Sequence, residues 1–454
     1  MLLDLRNLLF ALFSSLLLIG CGAQANMGAP VAGATGSSLP SQWVVGWGVS
    51  PQNALSTATD PGGSEQSYRF IVSPSVGGTE ERVHFSNYFG SSPITIGAAR
   101  IAVAINNGPS IDPSQDAPLT FSGNPSVTLQ PNQEIDSDPV NITYSFGQQL
   151  AVSMYLQGNF PALTEHDSQF INNYLTPVGA GNTTTDATGN EFSNVTTEWL
   201  VLSRVDVYGP YSGTVAMFGS SSMEGHNSDY GNTNSYPVAN VPVPGQDYDR
   251  PSDWIARSLN ASGYNIGVLN AGLLGNPAGE DATTAAGLSV AGVDRIDHDV
   301  LQQPGIKAVV IYIGGIDTRQ DCLPATSVET SLTTIISKAH AAGVRIILAT
   351  LPPSEYCLTS SPIPSASNPY AGDVNSPPEN GGSTQRRLLN DWIRTSGSQL
   401  PGVVAIADFD KMLADPAHPD FMMPNLNSGD NFHPNGPGYG VQVSAISLSS
   451  ILGQ

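Results

Sequence analysis

The chain has 454 residues, enough for two or three domains, and its 16 basic against 38 acidic side chains give a formal net charge of −22. That balance excludes docking by charge onto nucleic acid or anionic lipid. An apolar fraction of 40% is sufficient for a core, and 47 glycines with 35 prolines indicate many turns and much β-structure, not a helical bundle or coiled coil.

Leu8 to Ile19 form an apolar run, too short for a membrane span and of the length of a signal-peptide core. Arg6 gives a weak positive flank, partly offset by Asp4. Two processing readings stay open. Leu18-Ile19-Gly20-Cys21 has the form of a lipobox, in which Cys21 is lipidated and becomes the new N-terminus. Ala23-Gln24-Ala25 has the form of an ordinary cleavage site that would release a soluble protein. The scarcity of cysteine favours the lipobox. A signal peptide over 1–20 and a Gly-, Ala-, Ser- and Pro-rich tether over 21–42 are therefore expected. The expected location is a bacterial periplasm or outer membrane as a lipoprotein, alternatively secreted, with membrane contact only through the lipid anchor.

From about Trp43 to Val207 the pattern is that of strands. Leu150, Val152, Met154 and Leu156 alternate with Ala151, Ser153 and Tyr155. Ile101, Val103 and Ile105 alternate with alanines, and Val127 and Leu129 continue the theme on a shorter run. Period-two alternation between Gly, Pro, Asn and Ser turns predicts an antiparallel β-sandwich over 43–210 with one wet face.

After Tyr211 short apolar runs alternate with helical periods: Val215 to Phe218, Ile266 to Leu269, Ala308 to Ile313, Ile346 to Leu351 and Val403 to Ala407. Runs apolar on both faces suit buried parallel strands. Between the third and fourth, Val328, Leu332, Ile335, Ile336 and Ala339 recur at helical spacing, with Thr326 and Glu329 as an expected capping box and Gly343 as the stop. The segment 211–454 is therefore expected to be an α/β domain with a parallel sheet, with ligands bound beyond the carboxyl ends of its strands.

Chemistry is sought at those ends. The first strand runs into Gly219-Ser220-Ser221-Ser222, where a tight turn can hold a nucleophile out of the sheet. Near the C-terminus, Asp430-Asn431-Phe432-His433 places an aspartate three residues before a histidine, close enough for Asp430 to orient the imidazole. A serine hydroxyl needs such help, because it is not nucleophilic at neutral pH. His226 follows the serine cluster closely and is a candidate to line the site; His166, between Glu165 and Asp167, is a polar feature of the β-half. No Cys/His cluster has zinc spacing and no carboxylate cluster has calcium-loop spacing, so no metal is expected.

Cys322 and Cys357 follow predicted consecutive parallel strands joined by a helix, which places both in loops on the same carboxyl edge. In an exported protein this predicts a disulfide.

These motifs, taken in order, resemble the SGNH (GDSL-type) hydrolase family. Its first block, G-D-S-x-x-x-G, stands as Gly219-Ser220-Ser221-Ser222-Met223-Glu224-Gly225. The second, N-x-G-x-x-G-N, stands as Asn270 to Asn276, and the last, D-x-x-H-P-N, as Asp430 to Asn435 followed by Gly438-Tyr439. Trp47, Pro51-Gln52 and Ser86-Asn87-Tyr88-Phe89-Gly90 resemble a subgroup in which a β-domain precedes the hydrolase. The resemblance implies a flavodoxin-like three-layer α/β/α domain after the β-sandwich, with Ser221 as nucleophile, His433 as base and Asp430 as its partner. It also implies an oxyanion hole formed by the backbone N–H groups of Ser221 and Gly275, and no cofactor. The third block, G-x-N-D, departs: it reads Gly314-Gly315-Ile316-Asp317, so the oxyanion-donating Asn is Ile316. Ile316, Asp317 and His226 are expected at the substrate. The implied activity is serine ester hydrolysis, on a small ester or an acylated glycan, with a reduced oxyanion hole. The alternatives are an acyltransferase, or a binding lipoprotein whose site is weakened or inactive.

Overall fold

The alternating strands of the first half fold into two antiparallel sheets. One runs Gln42–Gly48, Leu202–Gly209, Glu81–Ser86, Glu134–Asp136 in spatial order. The other runs Asn194–Thr196, Asn173–Leu175, Gly63–Val72, Leu150–Phe160, Ile94–Ala104, Ile111–Pro118, with Val127–Leu129 also paired to Ile94–Ala104. Val44, Val83 and Val207 of the first sheet share one apolar core with Phe70, Ile101, Val152 and Met154 of the second. This is the sandwich that the alternation implies. These assignments come from a computed structural model, which describes residues 39–52, 63–167, 171–228, 249–280, 290–354 and 382–453. The predicted signal peptide, nearly all of the tether, Cys21 and Cys357 lie outside the described residues. Leu39–Gln454 form one compact unit.

The second face of the larger sheet differs from expectation: it is covered, not wet. Ile71, Ala102, Ile111 and Ala151 make a small core of their own there. Arg69 is buried on that face, donating to Ser153 Oγ and to the backbone carbonyls of Pro109, Thr184 and Asp186, with its guanidinium 4.2 Å above the Phe192 ring. The chain around 182–192 thus folds back over the sheet. An Arg with each of its three nitrogens bonded to an acceptor is what makes burial beneath it tolerable.

The second half contains five parallel strands: β1 (Gly213–Gly219), β2 (Ile266–Gly272), β3 (Ile306–Tyr312), β4 (Arg345–Ala349) and β5 (Val403–Ala407), in the order β2-β1-β3-β4-β5. That is a flavodoxin-like order. Every residue of β1 and β2 is buried, which is why those runs are apolar throughout. The helices that matter are α1 (Ser221–Glu224), α2 (Pro251–Ala261), α3 (Gly292–Ile296, continued by a π-helical turn Asp297–Leu301), α4 (Gly315–Arg319), α5 (Ala325–Ala341), α6 (Gly382–Arg394) and α7 (Gly436–Val443). Ile255 and Leu259 of α2, Val328 and Ile335 of α5, and Leu389 and Ile393 of α6 pack into the core around the sheet.

Helix α5 presents the expected apolar stripe, but its start differs. Pro324, not Thr326, is the N-cap, and the N–H of Ala325 donates to Gln385 Oε1 of α6 at 2.8 Å. A neighbouring helix supplies the acceptor that a local capping box would have provided.

The registers of the parallel strands place Gly219, Gly272 and Tyr312 side by side at the carboxyl edge. Two of these positions admit only glycine. A Cβ on Gly219 would sit 2.1 Å from the Tyr312 carbonyl oxygen, and one on Gly272 would sit 2.1 Å from the backbone nitrogen of Glu224. The turn carrying Ser221 is therefore pressed directly onto the strands.

Candidate active site

Ser221 is the first residue of α1, immediately beyond the end of β1, with Ser220 in extended backbone before it. Its Oγ lies 2.8 Å from His433 Nε2, although the two residues are 212 positions apart. His433 Nδ1 lies 2.5 Å from Asp430 Oδ2. An imidazole donating from Nδ1 to the carboxylate leaves Nε2 as the acceptor for the serine hydroxyl.

The loop that carries the pair is self-supporting. Asp430 Oδ1 accepts the N–H groups of Phe432 and His433, both at 2.8 Å, so the carboxylate spans the turn it starts. Asn227 Nδ2 donates to Asp430 Oδ2 at 3.1 Å. Asn427 holds the other side of the loop by accepting from Gly429 N and donating to Asn431 Oδ1. Asn435 caps α7 by accepting from Gly438 N. Desolvation favours the protonated form of Asp430, but the charge and hydrogen bonds of His433, with the N–H of Phe432, hold the carboxyl below the usual carboxylate range.

His226 is brought to the same place. Its ring lies 4.5 Å from that of His433, and its carbonyl accepts from the Tyr439 hydroxyl. Burial, followed by the nearby His433, pushes its pKa down to about 4, so it is neutral at physiological pH. His226, Asp430 and His433 offer metal-ligand atoms within 4.8 Å of one another. Those of Asp430 and His433 are already engaged with each other and with Ser221.

Ile316, on α4, packs against Phe432. Phe432 in turn meets His433 edge-on, with centroids 4.6 Å apart, and Arg319 lies 4.4 Å over its ring. Asp317 follows Ile316 on α4. It is buried and accepts from the backbone N–H of Ala278 at 3.0 Å and of Gly279 at 3.4 Å. Burial raises its pKa to about 6 in spite of those bonds. Its contacts brace the chain just beyond Gly275, a residue with φ 65°. Leu273 N donates to the carbonyl of Gly219 at 3.1 Å, closing this loop against the turn that carries Ser221.

Sequence reasoning did not find Asn227, whose partner Asp430 is 203 positions away. It also did not find Arg295, a buried arginine that reaches Gly219, Ala271 and Asn276. Nor could it place His166. That ring is buried, bonded through Nδ1 to the Ser50 carbonyl at 2.8 Å, with Nε2 3.7 Å from Glu224 of α1. Nothing local marks these residues; each acts on a segment far along the chain.

Residues 217–441 match the GDSL-like Lipase/Acylhydrolase family model. No curated protein matches the sequence. Solved structures similar to this chain include a GDSL-like lipase from Bacteroides thetaiotaomicron VPI-5482, 13% identical, over 53% of this chain and 88% of that one, TM-score 0.33. The SGNH-hydrolase family esterase AlinE4 is 20% identical over 46% of this chain and 82% of its own, TM-score 0.30. The psychrotrophic esterase EstA from Pseudoalteromonas sp. is 15% identical over 51% and 93%, TM-score 0.31. The family match begins inside β1, two residues before Gly219, and runs past the histidine loop into α7, so it contains every block read from the sequence. Residues 217–441 therefore form a GDSL-like lipase/acylhydrolase domain.

Proposed function

We propose that the protein is a serine ester hydrolase working through an acyl-enzyme. The observation that carries this reading is the continuous chain of contacts from Ser221 Oγ to His433 Nε2 at 2.8 Å and from His433 Nδ1 to Asp430 at 2.5 Å. Ser221 attacks the ester carbonyl as His433 takes its proton. His433 then gives that proton to the leaving alcohol, while Asp430 holds the tautomer and stabilises the imidazolium. Water, activated by the same imidazole, hydrolyses the acyl-enzyme. The oxyanion is held by the backbone N–H groups of Ser221 and Gly275. Ile316 offers no amide to it, so this hole has one donor fewer than the family pattern, a loss typically worth about 100- to 1,000-fold in rate.

The substrate class is a small ester or an ester on a glycan, and the N-terminal apolar run supports action outside the cytoplasm. Hydrolysis of a chromogenic acetyl ester, compared between wild type and Ser221→Ala, tests the reading. A fall of at least about 1,000-fold is expected, and equal rates would overturn it. Product analysis with an added alcohol acceptor distinguishes transfer to water from transfer to a hydroxyl.

A further inference from the structure

Arg295 is buried beneath the nucleophile turn, and each of its donors has an acceptor. Nε donates to Asn276 Oδ1 at 2.9 Å. Nη1 donates to Asp299 Oδ2 at 2.8 Å and to Ser50 Oγ at 3.2 Å. Nη2 donates to the carbonyls of Gly219 at 2.7 Å and Ala271 at 3.0 Å. A guanidinium has five N–H donors in a fixed plane, and here five acceptors from four segments meet them. The plane itself rests on the Phe218 ring, 4.2 Å away.

The acceptors are not arbitrary. Gly219 lies two residues before Ser221, and Asn276 immediately follows Gly275. These are the two segments whose backbone N–H groups form the proposed oxyanion hole. Ala271 lies on the strand that leads into the second of them. A rigid five-point fork fixes their separation in a way that a flexible ammonium cannot. Because Ile316 has no amide to contribute, the two backbone donors carry the oxyanion alone, and their spacing has correspondingly more effect.

The fifth acceptor, Ser50, comes from the antiparallel half. Its carbonyl also receives Nδ1–H of His166, and His166 Nε2 faces Glu224, three residues after Ser221. Ser50 is thus tied to the nucleophile turn from two sides. On the other flank, Asp299 binds His298 at 2.7 Å, and His298 binds Glu134 of the antiparallel half at 3.0 Å.

Resting on the esterase reading above, we infer that Arg295 is a positioning residue for the oxyanion hole and that Ser50 makes the antiparallel half a working part of it. Arg295 touches no reacting atom. It acts through Gly219 and Asn276, setting where the N–H groups of Ser221 and Gly275 stand when the tetrahedral intermediate forms. Interactions made only at that point act on kcat and leave KM in place.

The test uses the full chain, an acetyl ester substrate, and a small alkyl boronic acid as a tetrahedral probe. Arg295→Lys keeps the charge beside Asp299 but cannot fork. The expected result, measured well below the variant's denaturation midpoint, is a kcat lower by about tenfold or more, a KM within about twofold of wild type, and boronic acid affinity lower by the same factor as kcat. Ser50→Ala removes one acceptor and leaves the backbone bond to His166 intact. It should lower kcat about threefold, again at constant KM. It also decides the matter should Arg295→Lys not fold. Wild-type kcat and boronic acid affinity in either folded variant would overturn the inference, as would a lowered kcat with boronic acid affinity unchanged. A wild type with no Ser221-dependent activity would overturn the esterase reading as well, whereas an active wild type with indifferent variants overturns this inference alone.

Discussion

Glu81 opens the strand Glu81–Ser86 and is fully shielded from solvent, and the N–H of Ile142 donates to its Oε2 at 3.1 Å. Burial raises its pKa to about 8, with Glu80 adding to the effect and the Ile142 bond opposing it. The folded protein therefore keeps a proton that the unfolded chain has lost above its ordinary value of 4.5. The sign is that of a raised acid: stability falls as pH rises from about 4.5 through about 8, and levels off above. Each pH unit in that window is worth about 1.4 kcal/mol, so Glu81 costs the wild type about 3 kcal/mol by pH 7. Glu81→Gln keeps an acceptor for Ile142 and cannot ionise. Urea unfolding followed by tryptophan fluorescence reports on this half through Trp43, Trp47 and Trp199. The variant should lie close to wild type near pH 5 and exceed it by about 4 kcal/mol at pH 8. Parallel stability curves from pH 5 to 9 would refute the account of a neutral, buried Glu81.

Asp430→Asn should fold normally and lower kcat on an acetyl ester by about 10,000-fold with little change in KM; a loss below tenfold would show that Asp430 does not orient His433. Ile316→Asn restores an amide beside the proposed oxyanion site and should raise kcat by about tenfold. No change in a folded variant would mean that another donor already serves there. Cys322 sits in the turn after α4 at φ 56°, and mass spectrometry of unreduced peptides from exported protein should find it joined to Cys357. That bond would close a loop of about 35 residues and stabilise the fold by about 3–4 kcal/mol, and free thiols at both positions would refute it.

The parts of this molecule legible in the sequence are those where one residue's environment is set by its near neighbours. β1 and β2 are buried on both faces, so their sequences are apolar without alternation, and that alone marks parallel strands. Asp430 and His433 are three residues apart in a turn that Asp430 itself closes, so the pairing could be read before it was seen. What escaped has its partner elsewhere. The outer face of Leu150–Phe160 carries Ala151 and Ser153, which read as a wet face, but Arg69 and the segment around 182–192 cover it. The N-terminus of α5 is served from α6, 60 residues on. Arg295 looks like an ordinary charge on a helix until Ser50, 245 residues earlier, is placed beside it.

The side chain at position 316 bears on the same loops. Ile316 packs on Phe432, and Phe432 stands edge-on to His433 beneath the Arg319 guanidinium. An apolar side chain here braces the ring next to the histidine. On the proposed mechanism the loss of that donor is worth about 3 kcal/mol of transition-state stabilisation, and the burden passes to backbone N–H groups on two loops. Backbone donors cannot adjust by rotating a side chain; they are only as well placed as the loops that carry them. That placement depends on Arg295 and on Asp317, whose carboxylate grips the chain at Ala278 and Gly279. A hydrolase with an amide at 316 could tolerate small shifts in those loops, because one adjustable donor would remain. On the proposed mechanism this chain would have no such reserve, and the turn that carries Ser221 is enclosed in contacts reaching from Ser50 and His166 on one side to Asp299 on the other.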